Sequence, residues 1–139
     1  MSNTDCVFCK IIAAELPSTK IYEDDNVLAF MDIGPVAKGH VLVIPKEHSE
    51  MITDTGVEVL SDIMAVVKKV AQAQIDGMGA DGVNITQANG AVAGQVVNHI
   101  HFHVIPRFND DNVNFNWQAG SYRDSEEMAG VVERIKEKI

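Results

Sequence analysis

The sequence predicts an α+β fold with a mostly antiparallel sheet, and two observations lead to this prediction. Short strand-forming runs come first along the chain, a long helical pattern follows, and further strand-forming runs come after it. This order lacks the regular alternation of strands and helices that parallel sheets need, so an α+β architecture is favoured. The length of 139 residues, of which 46% are hydrophobic, suits one domain with a core of its own. We therefore expect a single domain over residues 1–139.

A short helix and a hairpin are predicted at the start of the chain. The residues from Val7 to Glu15 have a helical pattern that stops at Leu16-Pro17, because proline disfavours a helical conformation in the residue before it. Lys20–Glu23 and Val27–Met31 are strand-forming runs on either side of a short acidic turn. Two such runs separated by a few turn-forming residues predict a β-hairpin.

The middle of the chain predicts a buried strand and a long helix. Gly39–Ile44 is mostly apolar and is followed by a proline, a pattern typical of a buried strand. Thr55 and Glu58 have the spacing of a capping box, which predicts that a helix begins there. Apolar residues then recur on one helical face as far as Gly77 and Gly79, which are natural helix ends.

Two strands and a second helix complete the predicted elements. The strands are expected at Gly82–Gln87 and at Val96–Ile105, where β-forming residues cluster. From Ser125 onward, apolar residues at helical spacing predict an amphipathic C-terminal helix.

The charge balance limits the kinds of partner that this chain can have. Eleven basic and twenty acidic residues give a net charge of −9, which repels a phosphate backbone, so we expect no nucleic-acid partner. No apolar run approaches the ~20 residues of a membrane span, so we expect no membrane partner. The first residues have neither the basic nor the apolar region of a secretory signal, and we expect a cytoplasmic protein.

Three histidines at alternate positions are the most informative feature of the sequence. His99, His101 and His103 are separated by single apolar residues. Successive side chains of a strand point to opposite faces, so a strand would place the three rings on one face and the apolar residues in the core. Neighbouring imidazoles cannot all be buried without hydrogen-bonding partners. A metal ion or an anionic substrate would supply such partners, and the triad therefore predicts a functional site.

The loop before the triad is a candidate phosphate site. It contains Asn89, Gly94 and Gln95, and such a glycine-containing loop can bring backbone N–H groups against a phosphate. The Gln95 side chain adds a further donor. Taken alone, the same residues also suit an ordinary turn.

Cys6 and Cys9 form a Cys-x-x-Cys pair near the start of the chain. In a cytosolic protein this spacing indicates metal ligation or redox chemistry before a structural disulfide. With His48 and one histidine of the triad, the two thiolates would complete the ligand mixture that tetrahedral zinc favours. The local sequence of His48 is that of an ordinary loop histidine.

The triad segment His99-Ile-His101-Phe-His103-Val-Ile resembles the signature of the histidine-triad (HIT) superfamily. Other blocks occur where that family has its counterparts: Cys6-Val-Phe-Cys-Lys-Ile-Ile, Leu28-Ala-Phe-Met-Asp-Ile33, Gly39-His-Val-Leu-Val-Ile-Pro-Lys-Glu-His48 and Ala93-Gly-Gln95. The resemblance implies a single HIT domain of bacterial type, similar to the Hint and fragile-HIT branches. Its implied fold is a five-stranded antiparallel sheet with a long central helix and a C-terminal helix, paired into a homodimer with a continuous ten-stranded sheet.

The resemblance also implies a function and a role for each candidate residue. The implied activity is hydrolysis at the α-phosphate of purine nucleotide conjugates, such as nucleoside phosphoramidates or dinucleoside polyphosphates, through a covalent nucleotidyl-histidine on His101. His103 and Gln95 would hold phosphate oxygens, with support from Asn89 and Gly94, and Asp32 would accept hydrogen bonds from the ribose. The implied base-binding wall consists of Val7, Phe8, Phe30 and Ile33. The implied structural zinc ligands are Cys6, Cys9, His48 and His99.

One position departs from the pattern of the family. Val96 stands where many members carry Ser or Thr, so its backbone N–H remains available to a substrate but a side-chain hydroxyl is lost. The identity of the leaving group therefore stays open.

Two other functions remain open at this point. The first is a catalytic zinc enzyme that uses all three triad histidines as ligands and keeps a fourth position for water. The second is a nucleotide-binding or scaffolding module with weak residual hydrolysis. Asp32 also has an ordinary explanation, as a turn residue before Gly34-Pro35.

Overall fold

A five-stranded antiparallel sheet forms the centre of the computed structural model, which describes residues 3–139. Met1 and Ser2, the first two residues of the predicted domain, lie outside the described residues. The strands lie side by side in the order β1-β2-β3-β5-β4. The strands are β1 Lys20–Glu23, β2 Val27–Met31, β3 Val41–Pro45, β4 Gly82–Thr86 and β5 Phe102–Arg107, and the α-helices are α1 Val7–Ile12, α2 Val57–Met78 and α3 Ser125–Lys136. The α+β class, the five strands, the long helix and the C-terminal helix are thereby confirmed.

Each face of the sheet carries its own apolar core. The core on the α2 side includes Val27, Ala29, Val41, Val43, Ile63, Val66, Val67, Val70, Ile100, Phe102 and Val104. The core on the opposite side includes Cys6, Phe8, Cys9, Ile11, Leu28, Phe30, Leu42 and Ile44. Because strand side chains alternate between faces, the triad histidines lie on the side of α1, away from the long helix. None of the helices among residues 3–139 is both long and apolar enough to cross a membrane.

The triad strand occupies the interior of the sheet. β5 pairs with β3 on one side, where Leu42 lies opposite His103, and with β4 on the other, where Thr86 lies opposite the same residue. From α2, the buried Gln74 donates hydrogen bonds from Nε2 to the carbonyl oxygens of Gly39 and Val104, both at 2.9 Å. These bonds tie α2 to β5 and to Gly39, two residues before β3.

The triad strand begins later than the sequence predicted. We expected a strand over Val96–Ile105, whereas β5 runs from Phe102 to Arg107. The residues before Phe102 have no strand pairing, and residues 97–99 form a bend, yet Ile100 is still buried in the core. β5 continues through Pro106 because its pairing with β3 covers only Phe102–Val104, and a residue without an N–H group is tolerated where one side is unpaired.

Two helix boundaries also differ from the prediction. α1 ends at Ile12 rather than Glu15, because Ala14 adopts a left-handed conformation with φ of 60°. The predicted capping box is wrong: Gly56 is the N-cap of α2, and Thr55 instead donates from Oγ1 to the carbonyl oxygen of Met51 at 2.7 Å. The helix ends before Gly79, whose φ of 68° lies in the left-handed region that favours glycine.

Candidate active site and metal centre

A cleft of about 400 Å³ opens on the face of the sheet that carries the triad. His101 and His103 lie at its polar end, together with Asp32. The other predicted residues that line the cleft are Val7, Phe8, Phe30, Ile33, Gly94 and Val96. Ile11, Leu42 and Val97 also line it and were not singled out from the sequence. A largely apolar cleft with a few convergent polar groups has the composition of a small-molecule site.

The hydrogen bond made by His101 fixes which of its nitrogens carries a proton. Its Nδ1 atom lies 2.7 Å from the carbonyl oxygen of His99. A carbonyl oxygen only accepts, so Nδ1 donates its proton and Nε2 keeps an unshared electron pair. Burial lowers the pKa of His101, an effect opposed by its bond to the His99 carbonyl and by the charge of Asp32. A neutral imidazole with one free nitrogen is a competent nucleophile near pH 7.

His103 lies beside His101, with their ring centroids 5.0 Å apart. Its pKa is lowered to about 4, mainly by burial and further by the neighbouring imidazoles of His101 and His40. At neutral pH this ring is therefore uncharged. It can offer one hydrogen-bond donor, but not a full positive charge, to an anion in the cleft.

His40 lies beside the triad, although its sequence context did not single it out. This residue precedes β3, is 2% exposed, and places its Nε2 atom 2.9 Å from Nδ1 of His103. A single histidine at the start of an apolar strand has no pattern that marks it. The register that brings Leu42 opposite His103 indicates the proximity, but that register comes from the sheet rather than from the local sequence.

Asp32 is a turn residue, and it also lines the cleft. Its Oδ1 atom accepts a hydrogen bond from the N–H of Gly34 at 2.8 Å, as a turn residue does. Its Oδ2 atom lies 3.6 Å from Nε2 of His40, and the residue lines the cleft. The carboxylate therefore organises the turn with one oxygen and keeps the other close to the polar end of the cleft.

The side chains of Asn89 and Gln95 lie outside the residues that line the cleft. Gln95 accepts from the N–H of Gly90 at 2.8 Å, and its Nε2 donates to the carbonyl oxygens of Glu50 at 2.7 Å and Val97 at 3.1 Å. Asn89 accepts from the N–H of Ile52 at 2.7 Å and pairs with Gln87. Both amides hold the loop around Gly94, whose φ is 100°. Direct donation by Gln95 to a phosphate stays a prediction and requires one of these bonds to break.

Val96 and Ile33 form an exposed apolar rim on the cleft. Val96 is 90% exposed and Ile33 is fully exposed. Neither side chain carries a hydrogen-bond donor, so at Val96 only the backbone N–H is offered to a ligand.

Cys6, Cys9, His48 and His99 converge beside the cleft, with one ligand atom from each within 4.8 Å of the others. Nδ1 of His99 lies 3.5 Å from the sulfur of Cys6 and 3.6 Å from that of Cys9. The two histidine Nδ1 atoms are 3.2 Å apart, and Cys9 sulfur is 3.4 Å from Nδ1 of His48. Ligands at ordinary zinc distances in a tetrahedron would be ~3.6 Å apart for sulfur and nitrogen and ~3.3 Å apart for two nitrogens. The four residues therefore fit a tetrahedral metal ion.

The surroundings of the cluster agree with metal ligation. His99 is fully buried, and its Nε2 donates to the carbonyl oxygen of Pro45 at 2.8 Å, which leaves Nδ1 free to bind a cation. Its pKa is lowered to about 4, first of all by burial. Cys6 and Cys9 are free thiols, and the pKa of the Cys9 thiol is raised by burial. A bound metal ion would supply the positive charge that a buried thiolate requires.

The three triad histidines do not share one metal site in the described part of the chain. Nδ1 of His99 faces the cysteines, Nδ1 of His101 is bonded to a backbone carbonyl, and Nδ1 of His103 is bonded to His40. This arrangement does not support a catalytic zinc held by all three rings.

Comparison with known proteins identifies the family. The HIT domain model matches residues 13–110. The chain belongs to the HIT family. Adenosine 5'-monophosphoramidase hnt1 of Schizosaccharomyces pombe is 42% identical over 136 residues, covering 96% of this chain and 98% of that protein. Adenylylsulfatase HINT3 of Arabidopsis thaliana is 41% identical over 119 residues, covering 86% of this chain and 59% of that protein. Enzymes acting on adenosine nucleotide conjugates thus occur among the relatives of this HIT protein.

Solved HIT structures have the same fold. SMU.412c from Streptococcus mutans superposes with a TM-score of 0.92 at 39% identity, covering 99% of this chain and 87% of that one. A zinc-bound histidine triad protein from Mycobacterium smegmatis gives a TM-score of 0.77 at 38% identity, covering 97% and 98% of the two chains. The second comparison shows that a HIT protein can bind zinc.

Proposed function

We propose that this HIT protein hydrolyses purine nucleotide conjugates at the α-phosphate, with His101 as the nucleophile. The observation that carries the proposal is the bond from Nδ1 of His101 to the His99 carbonyl, which leaves Nε2 unprotonated in a ring that lines the cleft. Relatives named adenosine 5'-monophosphoramidase and adenylylsulfatase support this class of substrate.

The proposed reaction divides one displacement into two. Nε2 of His101 forms a bond to the α-phosphorus while the bond to the leaving group breaks, and an amine leaving group departs with a proton taken from water. Water then attacks the same phosphorus, the bond to Nε2 breaks, and a nucleoside monophosphate and a free proton are released. A covalent intermediate of this kind replaces one difficult step by two easier ones.

The walls of the cleft suit the parts of a nucleotide. Phe8 and Phe30, whose ring centroids are 5.6 Å apart, would wall the base together with Val7 and Ile33. Asp32 would accept hydrogen bonds from the ribose, and His103 would donate to a phosphate oxygen. The backbone N–H of Val96 would supply a further donor, whereas that of Gly94 already donates to the carbonyl oxygen of Ala91 at 3.0 Å. One well-placed donor to the developing charge of a transition state is worth ~3–4 kcal/mol.

We propose that zinc bound to Cys6, Cys9, His48 and His99 is structural. Four protein ligands fill a tetrahedral ion and leave no position open for water, so the ion would supply folding energy rather than chemistry. It would fasten α1, which carries Phe8 and Cys9 and has Cys6 as its N-cap, to the segment before β5. Phe8 lies with its ring centroid 5.9 Å from that of His99 and 5.2 Å from that of His101, so this fastening also defines one wall of the cleft.

We propose that the chain forms one HIT domain that pairs into a homodimer through β4. β4 and β1 are the edges of the sheet formed by the described residues. β1 carries Lys20 and Glu23 and has an irregular register, features that discourage further pairing, whereas β4, Gly82–Thr86, contains no charged residue. The residues of α3 are all outside the core, and Met128, Val132 and Ile135 are exposed. A second copy would cover this apolar face.

A substrate panel tests the proposed function. Adenosine phosphoramidates and dinucleoside polyphosphates are incubated with the wild-type protein and with His101→Ala, and the nucleoside monophosphate produced is measured. We expect turnover of at least one class by the wild type and none by the variant, which should still bind a nucleoside monophosphate within about tenfold. Unchanged turnover in the variant would exclude His101 as the nucleophile. Binding without turnover by the wild type would indicate a nucleotide-binding module instead.

A further inference from the structure

We propose that His40 is a positioning residue that holds His103 in the tautomer with its proton on Nε2, so that His103 presents a hydrogen-bond donor to the cleft. Only the role of this donor in catalysis rests on the proposed function. The tautomer itself is a property of the ligand-free protein.

Two consecutive hydrogen bonds lead from a backbone amide through His40 to His103, and the amide fixes their direction. The N–H of Val36 points at Nδ1 of His40, with the two nitrogens 3.1 Å apart. A backbone N–H can only donate, so Nδ1 of His40 must carry an unshared electron pair. A neutral imidazole has one proton, and that of His40 is therefore on Nε2.

The second bond transmits this assignment to His103. Nε2 of His40 lies 2.9 Å from Nδ1 of His103. Since Nε2 of His40 is the donor, Nδ1 of His103 accepts, and the proton of the neutral His103 ring is on Nε2. The opposite tautomer would place two N–H groups against each other at this distance.

Burial makes the arrangement rigid. His40 is 2% exposed, and its neighbour Gly39 is tied to α2 through the Nε2 atom of Gln74. Asp32 is the charged group near His40, with its Oδ2 atom 3.6 Å from Nε2, which is beyond hydrogen-bond distance. Asp32 is therefore placed to orient the His40 dipole without taking its proton from His103.

The same hydrogen-bond directions argue against a metal site formed by Asp32, His40 and His103. Ligand atoms of Asp32, His40 and His103 lie close enough together to hold a metal ion. A metal bound to Nε2 of His40 would need an electron pair on that atom, while the N–H of Val36 already needs one on Nδ1. Both demands together require an imidazole without any proton, so hydrogen bonding is favoured over ligation.

Nitrogen NMR of the ligand-free, metal-replete protein tests the tautomer. Histidine is labelled with nitrogen-15, and the His103 signals are assigned by their loss in His103→Gln. We expect the wild type to show the proton of His103 on Nε2 near neutral pH. In His40→Leu, which removes the donor, the proton should redistribute between the two nitrogens. His40→Gln, whose amide can donate toward Nδ1 of His103, should restore the wild-type tautomer.

Kinetics of the same variants test whether the Nε2 donor of His103 contributes to catalysis. We expect His40→Leu to lower kcat by about tenfold to a hundredfold with little change in KM, and His40→Gln to recover most of this loss. Val70→Ala is the matched control, because it removes buried apolar surface from the core on the α2 side, on the face of the sheet opposite the triad. It should lower stability and leave kcat and the tautomer unchanged.

The outcomes separate this inference from the proposed function. A His103 proton on Nδ1 in the wild type, or an unchanged tautomer in His40→Leu, would overturn the inference whatever the activity. If His40→Leu does not fold, the wild-type and His40→Gln spectra decide the tautomer. The expected spectra together with no hydrolysis of any conjugate would overturn the proposed function and leave the tautomer assignment intact.

Discussion

The carbonyl oxygen of His99 accepts a hydrogen bond from Nδ1 of His101 at 2.7 Å, while the His99 ring faces the cysteine cluster. One residue therefore belongs to two sites: its side chain serves the candidate metal centre and its backbone holds the candidate nucleophile. Any shift of His99 changes the position of His101. This relationship couples the integrity of the metal centre to the chemistry of the cleft.

Loss of a cysteine ligand should therefore affect stability, metal content and turnover together. We expect the purified protein to carry about one zinc per chain and Cys9→Ser to carry much less. Its Tm should fall by at least about 5 °C, since 1 kcal/mol is worth roughly 3–5 °C in a domain of this size. The measurements are metal analysis, thermal unfolding and kcat on the same samples.

Wild-type protein treated with a chelator is the control for this experiment. It should reproduce the losses of Cys9→Ser, and added zinc should reverse them only in the wild type. Purified wild-type protein that contains no metal, or a chelated form with unchanged Tm, would contradict a structural metal centre.

Removal of a ribose hydroxyl should reveal whether Asp32 recognises the sugar. A site built around a hydroxyl penalises a substrate that lacks it, and a 2′-deoxy substrate should lose roughly 1–3 kcal/mol of binding. Asp32→Asn is the informative variant, because asparagine keeps an oxygen for the N–H of Gly34 but loses the negative charge. Asp32→Ala loses both.

We expect Asp32→Asn to weaken the discrimination between ribo and deoxy substrates and Asp32→Ala to abolish most of it. Comparing kcat/KM for the two substrates across the three proteins forms a cycle in which the second change is made on the ligand. Equal discrimination by all three proteins would show that Asp32 stabilises the turn but does not recognise the ribose.

A charge placed on the edge strand should separate the proposed dimer. Ile85 on β4 is 50% exposed, and Ile21 on the opposite edge strand β1 is 48% exposed. Ile85→Lys and Ile21→Lys therefore introduce the same charge at similar exposure on the two edges. We expect the wild type and Ile21→Lys to be dimeric by light scattering coupled to gel filtration, and Ile85→Lys to be monomeric. A monomeric wild type, or dissociation caused only by Ile21→Lys, would contradict pairing through β4.

The triad shows how far the sequence alone can predict this site. The alternation of His99, His101 and His103 with apolar residues is confirmed in the burial of Ile100, Phe102 and Val104. The different partners of the three rings could not be predicted, because they come from other segments: the cysteines, a backbone carbonyl and His40. Side-chain alternation is a local property, whereas hydrogen-bond partners depend on the sheet.

Three residues mark the limits of local sequence patterns. Gln95 has the residue type and position of a phosphate donor, yet its amide protons are used by the carbonyls of Glu50 and Val97. Glu50 is distant in the sequence, so the residues around Gln95 do not indicate that its carbonyl oxygen would occupy the Gln95 amide. The helix start was mispredicted because Thr55 bonds to the carbonyl oxygen of Met51, four residues before it, instead of capping α2. His40 gave no pattern at all.

Acidification should destabilise the protein in part through His103. Its pKa is about 4 in the folded protein, against about 6.5 for an ordinary histidine in the unfolded chain. Between these values the unfolded chain binds more protons, so the free energy of unfolding decreases as pH falls from about 6.5 to about 4. The contribution is fully present above pH 6.5 and is lost as pH approaches the folded pKa.

Urea unfolding of the wild type and of His103→Gln across this pH range isolates the contribution of that residue, because both proteins share all other titrating groups. We expect the free energy of unfolding of the variant to fall less steeply with acidification. Identical slopes in the two proteins would show that His103 is not held neutral by the fold.

The central claim is a covalent nucleotidyl intermediate on His101, and trapping it is the most direct measurement. The wild-type protein is mixed with an adenosine phosphoramidate, quenched during the first turnover under alkaline denaturing conditions that preserve a phosphorus–nitrogen bond, digested, and analysed by mass spectrometry. We predict an adenylate on the peptide that contains His101, bonded to Nε2, and no adduct in His101→Ala. Efficient hydrolysis by the wild type with no adenylate on His101 at any time before steady state would contradict the account.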